Sequence, residues 1–171
     1  MKSGKGLKNY TTTIKVEQTI SEIEGILTKH KVTDIWKQYS EEGEVIGLNF
    51  IVQTAHGKLP FRLPANFTAV NQVLKNQKKD GKLSSISWDK INDMAQARRV
   101  AWRILLDWID AQLALVELEM VKIEQVFLPY MYDSKTEKTL FETLQQQGFK
   151  NLLSSPEDRE EAKIIDVVEE D

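Results

Sequence analysis

The stretch from Ser87 to Tyr130 most constrains what this chain can fold into, because its pattern is typical of one very long amphipathic helix. Ser87 is placed to cap the first turn, Asp89 suits the positive end of the helix dipole, and Pro129 favours an end there. Between Val100 and Val126 nearly every turn carries several apolar residues, more than a single buried face requires. We therefore predict that this helix is the central element of the fold.

A second group of segments predicts a small antiparallel sheet. Residues 33–39 are rich in aromatic and β-branched side chains, and residues 45–54 and 59–63 alternate apolar with other residues. Pro60 cannot donate to a strand partner, so its strand lies at an edge or turns its nitrogen outward. A weaker alternation over residues 10–16 suggests a fourth strand. The fold class predicted is α+β, with a sheet of three or four strands packed against the long central helix and shorter helices.

Three shorter helices are predicted from their caps. Thr19 and Glu22 have capping-box spacing, Asn66 is placed to cap a second helix, and Ser134 to cap a last one that Gly148 ends. The inner side of the second helix is expected to carry Phe67, Val70, Val73 and Leu74.

Charge divides the chain of 171 residues into three parts. Residues 1–15 contain four lysines and no acid, whereas residues 156–171 contain eight acids and two basic residues. We predict a basic flexible arm over residues 1–9, a single α+β domain over 10–153 and an acidic tail over 154–171. Such ends either contact nucleic acid or mask a basic surface, or are simply solvated. The apolar patch at Ile164–Val168 could add an edge strand or dock on a partner.

Several function classes are disfavoured by composition. No run of about 18 apolar residues is present, and residues 1–15 lack the apolar core of a signal peptide, so a cytoplasmic location without a membrane is expected. The absence of cysteine excludes disulfides and thiolate chemistry. The two histidines have no nucleophile pattern nearby, and no glycine-rich phosphate loop follows a strand. We expect no catalytic activity, no cofactor and no metal site.

Three arginines on the long helix form the main candidate surface. Arg99 and Arg103 lie on its polar stripe. Arg103 and Asp107 are spaced for an ion pair. This pair disfavours a cation site at Asp107 and Asp110. Arg98 lies on an otherwise apolar line, so it either packs its stem at the rim of the core or points into a groove and binds a phosphate or carboxylate. The nucleic-acid or anion-binding residues predicted are Arg98, Arg99, Arg103, Lys75, Lys78, Lys79, Lys82, Lys2, Lys5 and Lys8.

Aromatic residues give a second possible signal, because exposed rings can stack on bases. Trp102 and Trp108 lie in the most apolar part of the chain and are predicted to be core residues. Trp36 and Tyr39 lie on opposite faces of a predicted strand, so at least one of them is expected to be exposed. Whether Lys37, Lys58 and Arg62 line up depends on a strand register that the sequence leaves open.

Four segments resemble those of small, mostly uncharacterised proteins encoded by tailed phages and prophages: residues 8–14 (KNYTTTI), 59–66 (LPFRLPAN), 96–103 (QARRVAWR) and 107–112 (DWIDAQ). The likeness spans roughly residues 8–150 and implies a mobile-element context without a particular activity. We predict a non-enzymatic accessory protein that binds nucleic acid or a nucleoprotein complex. The alternative is a protein-binding inhibitor or adaptor that acts on a host protein complex. The formal net charge of −3 argues against a strong, purely electrostatic DNA binder.

Overall fold

A three-stranded antiparallel sheet forms one side of the computed structural model, which describes residues 6–150. Strands β1 (Val32–Tyr39), β2 (Val45–Thr54) and β3 (Gly57–Pro64) lie in the order β1-β2-β3. The alternation in β2 places Leu48, Phe50 and Val52 on one face, where all three are fully buried. The predicted meander is therefore confirmed.

Helices account for most of the remaining structure. They are α1 (Val16–Leu27), α2 (Phe67–Lys79), α3 (Trp88–Asn92), α4 (Met94–Glu117), α5 (Ile123–Phe127), a 3₁₀ turn (Leu128–Tyr130) and α6 (Leu140–Gln146). A two-stranded ribbon of β4 (Tyr132–Asp133) and β5 (Lys138–Thr139) precedes α6. The α+β class is as predicted. No helix among residues 6–150 has both the length and the apolar character needed to cross a membrane.

The single helix predicted from Ser87 to Tyr130 is wrong, because the stretch is divided at two places. Asp93 has an extended backbone, and its carboxylate accepts a hydrogen bond from the Ala95 N–H at 2.9 Å, so it caps a new helix. At the other end α4 stops at Leu118, followed by Glu119 with a positive φ of 57°. Ser87 does cap the first short helix, as predicted, by accepting from the Lys90 N–H at 3.3 Å.

Helix α4 is central, as predicted, because it is buried on two sides. On one side Trp102 is fully buried in a core shared with the sheet and α1. The rings of Phe50, Phe61 and Phe127 meet in this core, with centroids 5.3–5.9 Å apart. On the other side Val100 packs with apolar residues of α2 and of the segment that follows it. The two contacts explain why α4 is apolar around most of its circumference.

Other predicted details of the N-terminal half need correction. The strand predicted over residues 10–16 is not formed; residues 8–11 make turns, and α1 begins at Val16. Thr19 is therefore a buried residue inside α1, where its hydroxyl donates to the Lys15 carbonyl, and the predicted capping box is wrong. Asn66 caps α2 as predicted, by accepting from the Ala69 N–H at 3.0 Å.

Two more side chains differ from prediction. On α2, Val73 is exposed. Asn71 is buried instead, because its amide donates to the Ile91 carbonyl at 2.8 Å. Ser134 lies between β4 and β5, and the cap of α6 is Thr139. Gly148 follows the last helix with a φ of 61°, as expected for a helix end. The acidic tail and the Ile164–Val168 patch lie outside the described residues.

Candidate functional site

Arg98 packs at the rim of the core and also lines a groove at the start of α1. Its Nη1 donates to the Glu44 carboxylate at 2.9 Å, and its guanidinium lies 5.2 Å from the centre of the Phe67 ring. The side chain is 23% exposed, and its Nε is buried without a hydrogen-bond partner in the described part of the chain. Arg98 therefore links α4 to the β1–β2 turn and to the start of α2.

Arg99 completes a buried hydrogen-bond network centred on Gln96. The Gln96 side-chain carbonyl accepts from Nε and Nη2 of Arg99 at 3.2 and 2.7 Å. Its amide nitrogen donates to the backbone carbonyls of Tyr10 and Thr12 at 2.8 and 3.0 Å. Gln96 is fully buried, and all its hydrogen-bonding groups are used. The network holds the segment of residues 7–15, here called the N-terminal strap, against α4.

Arg103 pairs with a residue of α1 and not with a residue of its own helix. Its Nη1 donates to the Glu22 carboxylate of α1 at 2.5 Å. The predicted partner, Asp107, instead accepts from Lys8 Nζ at 2.9 Å and from Asn9 Nδ2 at 2.7 Å. Partial burial raises the pKa of Asp107, but the hydrogen bonds from Lys8 and Asn9 outweigh burial and leave that pKa below its usual value.

Basic residues gather where α2 ends, and we call this surface the basic end: Lys75, Lys78, Lys79 and Lys82. The Leu7 N–H donates to the Gln77 side chain of α2 at 2.8 Å, so residue 7 lies beside this surface. Lys2 and Lys5 themselves lie outside the described residues.

Members of the basic end differ in what they contact. Lys78 Nζ donates to the Leu83 carbonyl at 2.9 Å, and Lys82 lies 3.4 Å from the Asp80 carboxylate. Neither Lys75 nor Lys79 forms an ion pair with any residue between 6 and 150. Among the predicted site residues that the structure describes, these two lysines are the ones whose charge is least committed to internal contacts.

The outer face of the sheet carries a row of side chains that sequence reasoning did not assemble. Trp36 pairs with Asn49, and Asn49 pairs with Arg62, so the three side chains lie side by side across β1, β2 and β3. Arg62 Nε donates to the Asn49 side-chain carbonyl at 3.1 Å, and its guanidinium lies 3.8 Å from the centre of the Tyr132 ring. Lys37 is on the opposite face, where it pairs with Glu24 at 2.9 Å.

The exposure of the tryptophans follows their position. Trp36, Tyr39 and Trp88 are exposed, whereas Trp102 is buried, as predicted. Trp108 is partly buried and packs its ring against Phe127 and Tyr130. The alternation of β2 already placed Asn49 opposite the apolar face, but the Trp36–Asn49–Arg62 row needed the strand register.

Two grooves beside α4 have linings of both charges. One of about 160 Å³ lies at the start of α1, between Lys15, Glu44, Arg98 and Arg99. The other, of about 450 Å³, lies between α1 and α4 and includes Glu22, Lys29, Arg103, Asp107 and Asp110. Residues 6–150 contain no group of three or more histidine, aspartate or glutamate side chains placed to hold a metal ion.

The comparisons with known proteins identify no relative of this chain. No protein-family model, no curated protein and no solved structure matches the chain. The resemblance to phage proteins therefore stays a prediction, and the candidate surfaces depend on this chain's own residues.

Proposed function

We propose that this protein is a non-enzymatic, phage-type accessory protein that binds nucleic acid through its basic end. The observation that supports the proposal is the basic end itself, where Lys75 and Lys79 form no ion pair with any residue between 6 and 150. Leu7 lies against this surface, because its N–H donates to the Gln77 side chain at 2.8 Å.

The charge of this surface suits phosphates. Residues 75–82 hold four lysines and a single acid, Asp80. A lysine that neutralises a phosphate releases condensed counterions, and this release supplies most of the free energy of sequence-independent binding. Lysines act as point charges and read no base edges, so we expect binding with little sequence preference.

A purely structural role would also suit part of the basic end. Lys78 and Lys79 lie in the last turn of α2, where cations stabilise the negative end of the helix dipole by about 0.3–1 kcal/mol. The two roles predict different results for binding and for stability, so the experiment measures both on the same variants.

The test compares Lys75→Gln/Lys79→Gln with a control that removes the same charge elsewhere, Lys29→Gln/Lys135→Gln. Binding to labelled single-stranded DNA, duplex DNA and RNA is measured by fluorescence anisotropy from about 50 to 200 mM salt. We expect the affinity of the wild type to fall steeply with salt, and the first variant to lose about one unit of salt slope per lysine removed. The control should bind nearly as the wild type does.

Absence of binding at the lowest salt would overturn the proposal. Equal losses in both double variants would also overturn it, because only net charge would then matter and not the basic end. Melting temperatures of the two variants show whether a loss of binding follows from a loss of folding.

One observation favours the alternative, a protein-binding inhibitor or adaptor that acts on a host protein complex. Leu118 and Met120, in the connection between α4 and α5, are 69% and 68% exposed. Large apolar side chains grouped on a surface are typical of protein contacts. If this function is correct, Leu118→Ser/Met120→Ser should abolish capture of a bacterial complex that the wild type retains, while Lys75→Gln/Lys79→Gln should not.

A further inference from the structure

We infer that the outer face of the sheet is a stacking platform for unpaired bases, which adds affinity for single-stranded nucleic acid to the binding at the basic end. The platform consists of Trp36, Asn49, Arg62 and Tyr132. This inference rests on the proposed nucleic-acid binding but concerns a different surface from the basic end.

The strand register places a flat aromatic ring beside two polar groups. Trp36 in β1 and Arg62 in β3 are the cross-strand neighbours of Asn49 in β2. Such neighbours on one face of an antiparallel sheet have Cβ atoms about 4.5–5.5 Å apart. The Trp36–Asn49–Arg62 row spans two such spacings, about 9–11 Å, which is wide enough to carry a nucleobase. The Trp36 side chain is 43% exposed, which leaves a large part of the indole open to a stacking partner.

Asn49 supports this row from within the sheet. The residue is only 1% exposed, and its side-chain carbonyl accepts from Arg62 Nε at 3.1 Å. Asn49 therefore fixes the Arg62 guanidinium, and the groups that can contact a ligand are Trp36 and Arg62.

Arg62 is held in place without a hydrogen-bonded carboxylate. Its guanidinium lies over the Tyr132 ring, and its Nη1 donates to the Glu137 carbonyl at 3.5 Å. No carboxylate of residues 6–150 lies within ion-pair distance of it, although its charge acts on the Glu142 carboxylate nearby. A fixed guanidinium with open donor positions suits a base acceptor or a phosphate oxygen.

An unpaired base matches this surface better than a protein side chain does. The base supplies a π face for the indole and acceptor atoms at its edge for the guanidinium, whereas a duplex hides its π faces between stacked pairs. A protein anchor instead needs a pocket to fill. The grooves described above lie beside α1 and α4, which cover the opposite face of the sheet.

The experiment measures binding of a ten-nucleotide oligothymidine and of a duplex of equal length to four proteins. They are the wild type, Trp36→Ala, Trp36→Leu and the control Trp88→Ala, which removes another exposed indole from α3. Base stacking on an aromatic residue is worth enough that the Trp36 variants should bind the single strand about five- to 150-fold more weakly. Duplex binding should stay within about twofold of the wild type, and Trp88→Ala should change neither affinity.

The outcomes separate this inference from the proposed function. If the wild type binds neither ligand, both proposals are overturned. If it binds and the Trp36 variants bind the single strand as well as the wild type does, the platform is overturned and the basic end stands. Trp36→Leu keeps an apolar side chain in β1, so the inference remains testable if Trp36→Ala does not fold.

Discussion

Replacing Gln96 by leucine gives the most direct test of how the N-terminal strap is held. Gln96 is fully buried, donates to the Tyr10 and Thr12 carbonyls and accepts from Arg99. Leucine has a similar volume, so the change removes the hydrogen bonds while leaving only a small change in packing. The two carbonyls and the guanidinium then lose their partner.

The expected cost follows from the four hydrogen bonds. Each bond to a backbone carbonyl contributes about 1 kcal/mol, and bonds that involve a charged group contribute about 1.5–3 kcal/mol. Arg99 and the strap are only partly buried, so water replaces some of what is lost. We expect Gln96→Leu to lower the free energy of unfolding by about 2–4 kcal/mol, which a domain with a typical stability of about 5–15 kcal/mol survives.

Urea denaturation followed by circular dichroism measures this cost, and hydrogen exchange locates it. The Thr12 N–H, which donates to the Asn9 carbonyl at 2.9 Å, should exchange faster in the variant. Arg99→Gln is the matched control; it removes only the bonds from the guanidinium, so it should cost less than Gln96→Leu and leave exchange at Thr12 unchanged. A loss below about 1 kcal/mol in Gln96→Leu, or unchanged exchange at Thr12, would refute the described network.

Three further predictions concern the core, a carboxylate and a cap. Trp102→Ala should cost about 3–5 kcal/mol in urea denaturation because the ring is fully buried, with Trp102→Phe costing less; a cost below about 1 kcal/mol would contradict that burial. The pKa of Asp107 is lowered in the fold, so its carboxylate stabilises the protein above its unfolded pKa of about 4 and this contribution disappears as pH falls through the folded pKa. Stability should therefore decline less steeply below about pH 4 in Asp107→Asn than in the wild type, and parallel curves would contradict this. Thr139→Ala removes the cap of α6 and should cost about 1 kcal/mol by thermal denaturation, with Ser134→Ala as an unaffected control; equal melting temperatures for all three proteins would count against the cap.

The sheet and the central position of α4 could be predicted because both depend on local hydrophobic periodicity. Leu48, Phe50 and Val52 alternate with the period of a strand, and their burial needs no knowledge of distant residues. The division of the long helix at Asp93 could not be predicted in the same way. The break is so short that the apolar periodicity continues across it. Only the tendency of aspartate to cap a helix, and not to lie inside one, marks Asp93 as the point of division.

The partners of the arginines could not be predicted from the helical pattern. Gln96 lies on the same polar stripe of α4 as Arg99 and Arg103, and nothing within α4 indicates that another segment covers that stripe. The strap covers it, and Gln96 becomes buried. Likewise Arg103 was matched to Asp107 by helical spacing, although its partner Glu22 is 81 residues away in α1.

A contact along one helix is worth only about 0.2–0.5 kcal/mol, so a partner brought by tertiary packing displaces it easily. The same reasoning changes which cations are suited to a ligand. Arg98, Arg99 and Arg103 each already hold an acceptor that belongs to the fold, and a phosphate would have to compete with it. A phosphate that approaches Lys79 or Arg62 displaces no carboxylate, so the binding free energy gained per contact is larger there than at Arg98, Arg99 or Arg103. The candidate site therefore follows the cations that no carboxylate of residues 6–150 contacts directly.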